Sequence, residues 1–504
     1  MKIKNKNEIS RRDFVKHTAT LALGAEALIP GIPLTNMHLL QDDLIKKQSV
    51  YQAMGTRVGE VTDTTAIVWT RITLNATRNN EGLVIPGRAQ NYRGKELPKV
   101  TVPIETLEGA CPGHAGYIRL QYSPNENLKG GKHTKWIEVS AGNDFIHQFH
   151  LTGLSAATTY HYISESCLVI NKKPITSFRG RFQTAPHASS SSDLLFCLMT
   201  CQGYPDRGHP DGHHIYPAML ALNPQFACLT GDLVYYDNDM PRALNESIAR
   251  YHWERMFSLP RLIDFNRNVG TYWLKDDHDT LDDDSEPGAT MGDFTFSQGQ
   301  QIFRQQAPIN TGPEYRTFRW GADLQIWLSE GRDHRSDSDL PDGPDKTIWG
   351  SAQKAWFKKT VKESTATWKI LISPTPFVGP DRKQKNDNHS NAGFKHEGDE
   401  LRQWMQENVP DNFFVICGDR HWQYHSVHPV TDLHEFSIGA ASDEHAGGTP
   451  GEDKNYHRFH LVKGGFISVK LTRSADLSKI SVRHHDIHGA IVYEWSKERK
   501  VTAS

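Results

Sequence analysis

The sequence predicts two folded units in series, a small antiparallel β-sandwich followed by a layered α/β domain. Three observations lead there. At 504 residues the chain is too long for one ordinary domain. Its first third carries short runs of β-branched and aromatic residues separated by Gly- and Pro-rich stretches. Beyond a serine-rich break, continuous apolar runs alternate with helical segments, as expected for strands buried on both faces of a sheet.

The start of the chain stands apart from that scheme. Ser10-Arg11-Arg12-Asp13-Phe14-Val15-Lys16 precedes a weakly apolar stretch over residues 18–32. An arginine pair in this context, followed by a modest apolar region, resembles a twin-arginine export signal. It implies the twin-arginine export machinery as a partner and a periplasmic or extracellular destination. Glu26 interrupts the stretch and no small-residue cleavage pattern follows it. Residues 1–45 are assigned to this signal and a linker.

Residues 46–187 read as the sandwich. Residues 59–70 form a turn and then a strand containing Ile67, Val68 and Trp69. Residues 136–139 and 147–151 supply further strands, and 154–163 resembles the penultimate strand region of fibronectin-like sandwiches. Stretches around 80–96 and 110–116 read as long loops. Residues 187–193, with four consecutive serines, form a linker by composition.

From 188 to 504 the apolar runs 194–199, 226–229, 324–328, 368–372 and 413–417 read as buried strands. Residues 242–257 and 351–362 read as helices between them. The alternating segments 466–471 and 480–483 complete a sheet.

Composition narrows the function. Apolar content of 37% with 23% charged residues is that of a globular protein. Lys and Arg (57) nearly balance Asp and Glu (59), so no nucleic-acid-binding surface is evident. No apolar run approaches the roughly 20 residues of an integral membrane segment. Six cysteines without a CxxC pair argue against a zinc ribbon or a dense disulfide framework. Cys197, Cys228 and Cys417 fall within apolar runs as small hydrophobes, whereas Cys201 does not.

Four strand-like runs end abruptly in residues able to bind metal. These ends carry Cys201-Gln202, Gly231-Asp232 with Tyr235, Asp276-Asp277-His278-Asp279, and Gly418-Asp419-Arg420-His421. In open α/β sheets, sites gather beyond the carboxyl ends of strands. Clustered carboxylates need compensation when desolvated, and cations supply it. Glycine before Asp232 and Asp419 lets the backbone turn sharply as it leaves the strand. His278, beside Asp277, is placed to donate a proton. Each residue alone reads as a turn, a surface histidine or a packed thiol; four such ends together point to a metal centre.

The order Gly-Asp, Asp-His, Gly-Asp-x-His resembles the calcineurin-like metallophosphoesterases. Cys-Gln at the first strand end, Gly-Asp-x-x-Tyr and Asp-Asp-His-Asp resemble the alkaline phosphatase D (PhoD-like) branch in particular. Ile348-Trp349-Gly350 with Gln353 and Trp356-Phe357 resembles that branch too, and the similarity runs over most of the chain. The resemblance implies a fibronectin-like sandwich followed by an α/β/β/α metallophosphoesterase domain. It implies that Cys201, Asp232 and Tyr235 hold a ferric ion, with Asp232 bridging to calcium and Asp277, Asp419 and His421 completing the cluster. Fe³⁺ and Ca²⁺ are thus the implied cofactors, with Zn²⁺ or Mn²⁺ as alternatives. Phenolate and thiolate suit Fe³⁺, while calcium takes oxygen ligands. The chain departs from the generic series in having no equivalent of the usual histidine ligand between the third and last motifs.

The expected activity is hydrolysis of phosphate mono- or diesters, by attack of a metal-bound hydroxide with Asp232 in the metal core and His278 as general acid. Arg332 and Arg335, after a predicted strand, are candidates to clamp phosphate oxygens. Residues 387–389 and 443–445 are polar loops that could line a substrate pocket, though the surface is the expected place for both. The alternatives are a phosphodiesterase acting on phospholipid or cell-wall polymer, and a non-catalytic surface binding protein on the same scaffold.

Overall fold

The computed structural model describes residues 49–92, 96–170, 172 and 176–501. The expected export signal lies outside the described residues. The first strands are β1 (Thr56–Gly59), β2 (Ala66–Arg71), β3 (Gly116–Ser123), β4 (Lys132–His133), β5 (Ile137–Val139), β6 (Ile146–Leu151), β7 (Thr159–Cys167) and β8 (Thr176–Gln183). After the linker come β9 (Leu194–Met199), β10 (Phe226–Thr230), β11 (Gly270–Leu274), the short pair β12 (Thr290–Met291) and β13 (Phe294–Thr295), β14 (Arg316–Trp320), β15 (Leu324–Leu328) and β16 (Trp368–Ser373). The last are β17 (Phe413–Cys417), β18 (Gln423–Val427), β19 (His434–Ser437), β20 (His457–Leu461), β21 (Phe466–Arg473), β22 (Leu477–His485) and β23 (Ile491–Lys500).

Two mixed sheets form the centre. One runs β23-β22-β21-β9-β10-β11-β1-β2-β6, and the other β14-β15-β16-β17-β19-β18-β20. Strands β9, β10 and β11 pair in parallel, as do β15, β16 and β17. Alternate side chains of each strand serve different cores. Phe196 and Leu198 of β9 pack with Ile326, Ile370 and Phe414 between the sheets. Cys197 and Met199 face the other way, toward Trp253, Phe265 and Phe303. These belong to α2 (Glu246–Phe257), α3 (Pro260–Asn268) and α4 (Phe296–Gln306), which follow the short α1 (Ile215–Ala221). Across the second sheet, Trp327, Leu371 and Val415 pack on Phe357 and Leu401 of α5 (Gly350–Glu363) and α6 (Lys395–Asn408). The result is the expected α/β/β/α layering.

Local chemistry sets the helix boundaries. α2 begins at 246 rather than 242 because Asn245 caps it, its side chain accepting from the Ile248 amide. A Thr295–Gln298 capping box opens α4, and Pro260 occupies the first turn of α3. The sequence reading named none of α1, α3, α4 and α6.

The sandwich shares a sheet with the layers that follow. β1 pairs in parallel with β11, Val58 opposite Gly270, so β1, β2 and β6 extend the nine-stranded sheet. Their apolar residues Val58, Val68 and Phe149 pack against Ile118, Leu120, Tyr162 and Phe182 from β3, β7 and β8. Residues 154–158 form the turn into β7 rather than part of the strand itself. All six cysteines are buried and unpaired. Among the described residues no helix is long and apolar enough to cross a membrane.

Candidate metal centre

The carboxyl ends of β9, β10, β11 and β17 bring all four motifs together. Three of the convergent residues, Cys201 (φ 53°), Asp232 (φ 56°) and Asp419 (φ 64°), leave their strands in the left-handed region. Non-glycine residues avoid it, and such strain gathers where a site requires it. Gly231 (φ 92°) allows a close approach: a Cβ there would lie 2.7 Å from the Asp276 Cβ. Gly418 would place one 2.6 Å from the Thr230 carbonyl. Glycine at both positions therefore lets neighbouring loops touch.

Asp232 is at the centre. The Cys201 thiol donates to its Oδ2 at 3.3 Å, and the Tyr235 hydroxyl lies 3.2 Å from the same oxygen. His421 Nε2 is 3.4 Å from the Tyr235 hydroxyl. Ligand atoms of Cys201, Asp232 and His421 all lie within 4.8 Å of one another, as do those of Asp232, Asp276 and Asp419, and of Asp232, Asp277 and His278. The centre thus brings together every residue expected to bind metal. It also includes Asp276, which belongs to the same strand-end motif as Asp277 but was not among the expected ligands. Asp232, Asp276 and Asp277 are buried, whereas His278, Asp419 and His421 are half-buried and open the cluster toward solvent.

Charge compensation is incomplete. Asp232 Oδ1, Asp276 Oδ2 and Asp277 Oδ1 are buried without a hydrogen-bond partner. Burial and the neighbouring acids drive the Asp232 carboxyl well above its ordinary range, and burial raises Asp276 to about 6 despite Arg332. Burial also opposes the charge on Asp277, but Arg332 and His278 outweigh it and hold that carboxyl low. Burial and the Asp232 charge together push the Cys201 thiol up. Anionic donors with free oxygens, deprived of water, are the environment a multivalent cation completes. The donor set fits such a group: the Cys201 thiol and Tyr235 phenol meet Asp232 Oδ2, and the carboxylates of Asp276, Asp277 and Asp419 offer oxygens to the same centre.

His278 Nδ1 lies 2.7 Å from Asp237 Oδ1. Burial opposes an imidazolium here, yet Asp237, Asp277 and Asp232 overcome it and raise the pKa of His278. Asp279 ties two motifs together, accepting from the Leu233 amide at 3.1 Å and the Asp276 amide at 2.6 Å.

The predicted arginines lie beside the cluster. Arg332 is fully buried, donates from Nε to Asp276 Oδ1 and places Nη2 3.6 Å from Asp277. Its Nη1 and Nη2 have no hydrogen-bond acceptor. Arg335 is committed to the Asp387 carbonyl at 2.7 Å and to Ser338 Oγ at 3.1 Å.

Of the two loops expected on the surface, one is built into this region whole and the other contributes its histidine. Asp387, Asn388 and His389 are buried, because Asp387 accepts from Arg420 at 2.9 Å beside Asp419. Of residues 443–445, Asp443 and Glu444 are exposed, but His445 is buried, with its Nε2 3.0 Å from the Tyr235 hydroxyl. The glycine pair 447–448 that follows the histidine was the available signal.

Comparison with known proteins agrees with this geometry. The family model for PhoD-like phosphatases matches residues 196–463, more than half of the chain. A solved structure of PhoD is similar with a TM-score of 0.66 and 14% identity, over 90% of this chain and 92% of that one. The purple acid phosphatase PPD1 from yellow lupin (Lupinus luteus) seeds is similar with a TM-score of 0.58 and 11% identity, over 89% of this chain and 74% of that one. At such identities the likeness carries the fold alone. No curated protein sequence matches the chain. With the motifs gathered into one centre and the family model spanning them, the chain belongs to the PhoD-like phosphatase family and is a metal-dependent phosphoester hydrolase.

Proposed function

We propose that the protein is exported by the twin-arginine route and hydrolyses phosphate mono- or diesters outside the cytoplasm. In this reading Cys201, Asp232, Tyr235 and His421 hold a ferric ion, and Asp276, Asp277 and Asp419 hold calcium with Asp232 shared between the two. When bound, such cations lower the pKa of water to give a nucleophile at neutral pH and neutralise phosphate oxygens. The observation that carries the reading is the set of unpartnered, buried oxygens on Asp232, Asp276 and Asp277.

The remaining roles fall to this chain's own groups. With Nδ1 engaged by Asp237, His278 keeps Nε2 as the atom able to hold a proton for the leaving oxygen. Arg332, beyond its bond to Asp276 and its ion pair with Asp277, has Nη1 without an acceptor and able to meet a phosphate oxygen. Arg335 supports the 387–389 loop.

Metal content and turnover test the reading together. Protein purified without chelator is expected to carry iron and calcium and to hydrolyse p-nitrophenyl phosphate, its bis-ester, or both. Chelation should abolish turnover and the same metals should restore it. Faster bis-ester cleavage would mark a diesterase. Protein that binds metal but turns over neither ester, nor a phospholipid or teichoic polymer, would leave only the surface binding protein.

A further inference from the structure

His445 lies in no motif that the resemblance supplies, yet it is among the most enclosed groups near the centre, its side chain 1% exposed. Its ring is held at both nitrogens. Nδ1 lies 2.8 Å from Asp206 Oδ2, and Nε2 lies 3.0 Å from the Tyr235 hydroxyl. The ring also lies against His421, centroids 4.2 Å apart.

The support beneath this chain is equally built. Asp206 is on the loop that follows Cys201, its amide bonded to the Gly203 carbonyl at 3.2 Å. Arg88 donates to Asp206 and contacts His445 Nδ1. Arg88 belongs to the long β2–β3 connection, whose turn is stitched to the segment just after Tyr235. The Ala89 amide donates to the Asn238 carbonyl at 2.7 Å and the Met240 amide to the Gly87 carbonyl at 3.2 Å. The Gly447 amide bonds to the His421 carbonyl at 3.0 Å and fixes the far side of the His445 loop.

We propose that His445 is a positioning residue that fixes the Tyr235 phenol oxygen toward Asp232, Cys201 and His421, and that Asp206, pinned by Arg88, holds the imidazole in that orientation. A proton lies on the line between Nε2 and the phenol oxygen whichever atom carries it, so the oxygen's direction is set by the ring. Groups that orient a metal ligand by a hydrogen bond form a second layer around a metal site, and their loss weakens metal retention without removing a ligand. The Arg88 arm also gives the β2–β3 connection a specific task at the centre. The inference rests on the reading of Tyr235 as a metal ligand.

The test follows the copurified metal, identified by elemental analysis, as it leaves into excess EDTA. His445→Leu is expected to speed release by about 10- to 100-fold, and Asp206→Asn by a smaller factor. His445→Gln, which keeps a polar atom near the phenol, should recover part of the loss. In a double-mutant cycle, His445→Leu should add nothing once Tyr235→Phe has removed the phenol oxygen. A purely structural histidine would instead accelerate release equally in both backgrounds, and that result would overturn the proposal, as would unchanged release from His445→Leu and Asp206→Asn. Should His445→Leu fail to fold, the near-isosteric Asp206→Asn and its cycle with Tyr235→Phe decide the matter. Wild-type protein that retains no metal overturns both this inference and the metal reading. Wild-type protein that retains metal but hydrolyses no phosphoester removes the catalytic reading alone, and the release cycle still decides the role of His445.

Discussion

Arg332 donates from Nε to Asp276 Oδ1 at 2.6 Å, and the two side chains are 0% and 1% exposed. The same guanidinium lies 3.6 Å from Asp277, so one buried cation compensates two carboxylates of the centre. Removing one partner of such a pair leaves an uncompensated charge at a cost of about 3–5 kcal/mol. Arg332→Met is therefore expected to lower the thermal midpoint of metal-free protein, and to lower it less once metal is bound. An equal drop with and without metal would mean that Arg332 does not share its compensating task with the cations.

Asp232 is the residue common to three of the ligand groups. Asp232→Asn should reduce kcat/KM by at least about a hundredfold, the scale of losing a group that acts on charge in the transition state. Full turnover with intact metal content would remove Asp232 from the core.

His278 can be separated from the metal ligands by the leaving group. A general acid contributes about 10²- to 10⁴-fold where the departing oxygen needs a proton. His278→Asn should therefore lose most with alkyl phosphates and least with p-nitrophenyl phosphate, whose leaving group departs as a stable anion. Asp237→Asn should follow the same pattern with smaller losses. A uniform loss across leaving groups would count against proton donation.

Gly231→Ala tests the left-handed turn. The added methyl group would meet Asp276 at 2.7 Å in a backbone conformation that disfavours a side chain. A loss of about 1–3 kcal/mol, with weakened metal retention, is expected from thermal and chelation measurements. Wild-type metal retention would show that the loop has room to relax.

Glu397 supplies a pH dependence away from the centre. Burial opposes its ionisation, but hydrogen bonds from His389, Thr347 and the Ile348 amide hold its pKa at about 2, below the ordinary 4.5. A depressed carboxyl contributes stability that is complete above the unfolded value and disappears as pH falls toward the folded one. The contribution is of order 3 kcal/mol and should fade between about pH 4.5 and 2. Thermal midpoints of wild type and Glu397→Gln should converge across that window. A constant gap down to pH 2 would show that the carboxylate is not the source.

The centre was legible where one stretch of chain carried both a buried strand and its polar end. Cys201, Asp232, Asp277, His278, Asp419 and His421 stood out because four apolar runs each end in groups able to bind metal, while their individual roles came from the family resemblance. Asp276 was missed because two adjacent acids look alike in sequence; the Arg332 partner and its orphaned oxygen set it apart only in space. The surface reading of residues 387–389 failed for a related reason. A polar loop is exposed unless partners elsewhere satisfy it, and Arg420 and Arg335 lie outside the loop's own sequence.

By itself the sequence determined the longest buried strands, their alternation with helices and the four polar strand ends, since side-chain periodicity and turn chemistry act over a few residues; the α/β/β/α layering came from the family resemblance. Tertiary structure decided which elements meet. It joined β1, β2 and β6 to the nine-stranded sheet, brought His445 to Asp206 across 239 residues of chain and to Tyr235 across 210, and set one arginine between two carboxylates. Strand pairing and charge compensation are satisfied between distant segments, and no local pattern specifies a partner that only folding brings near.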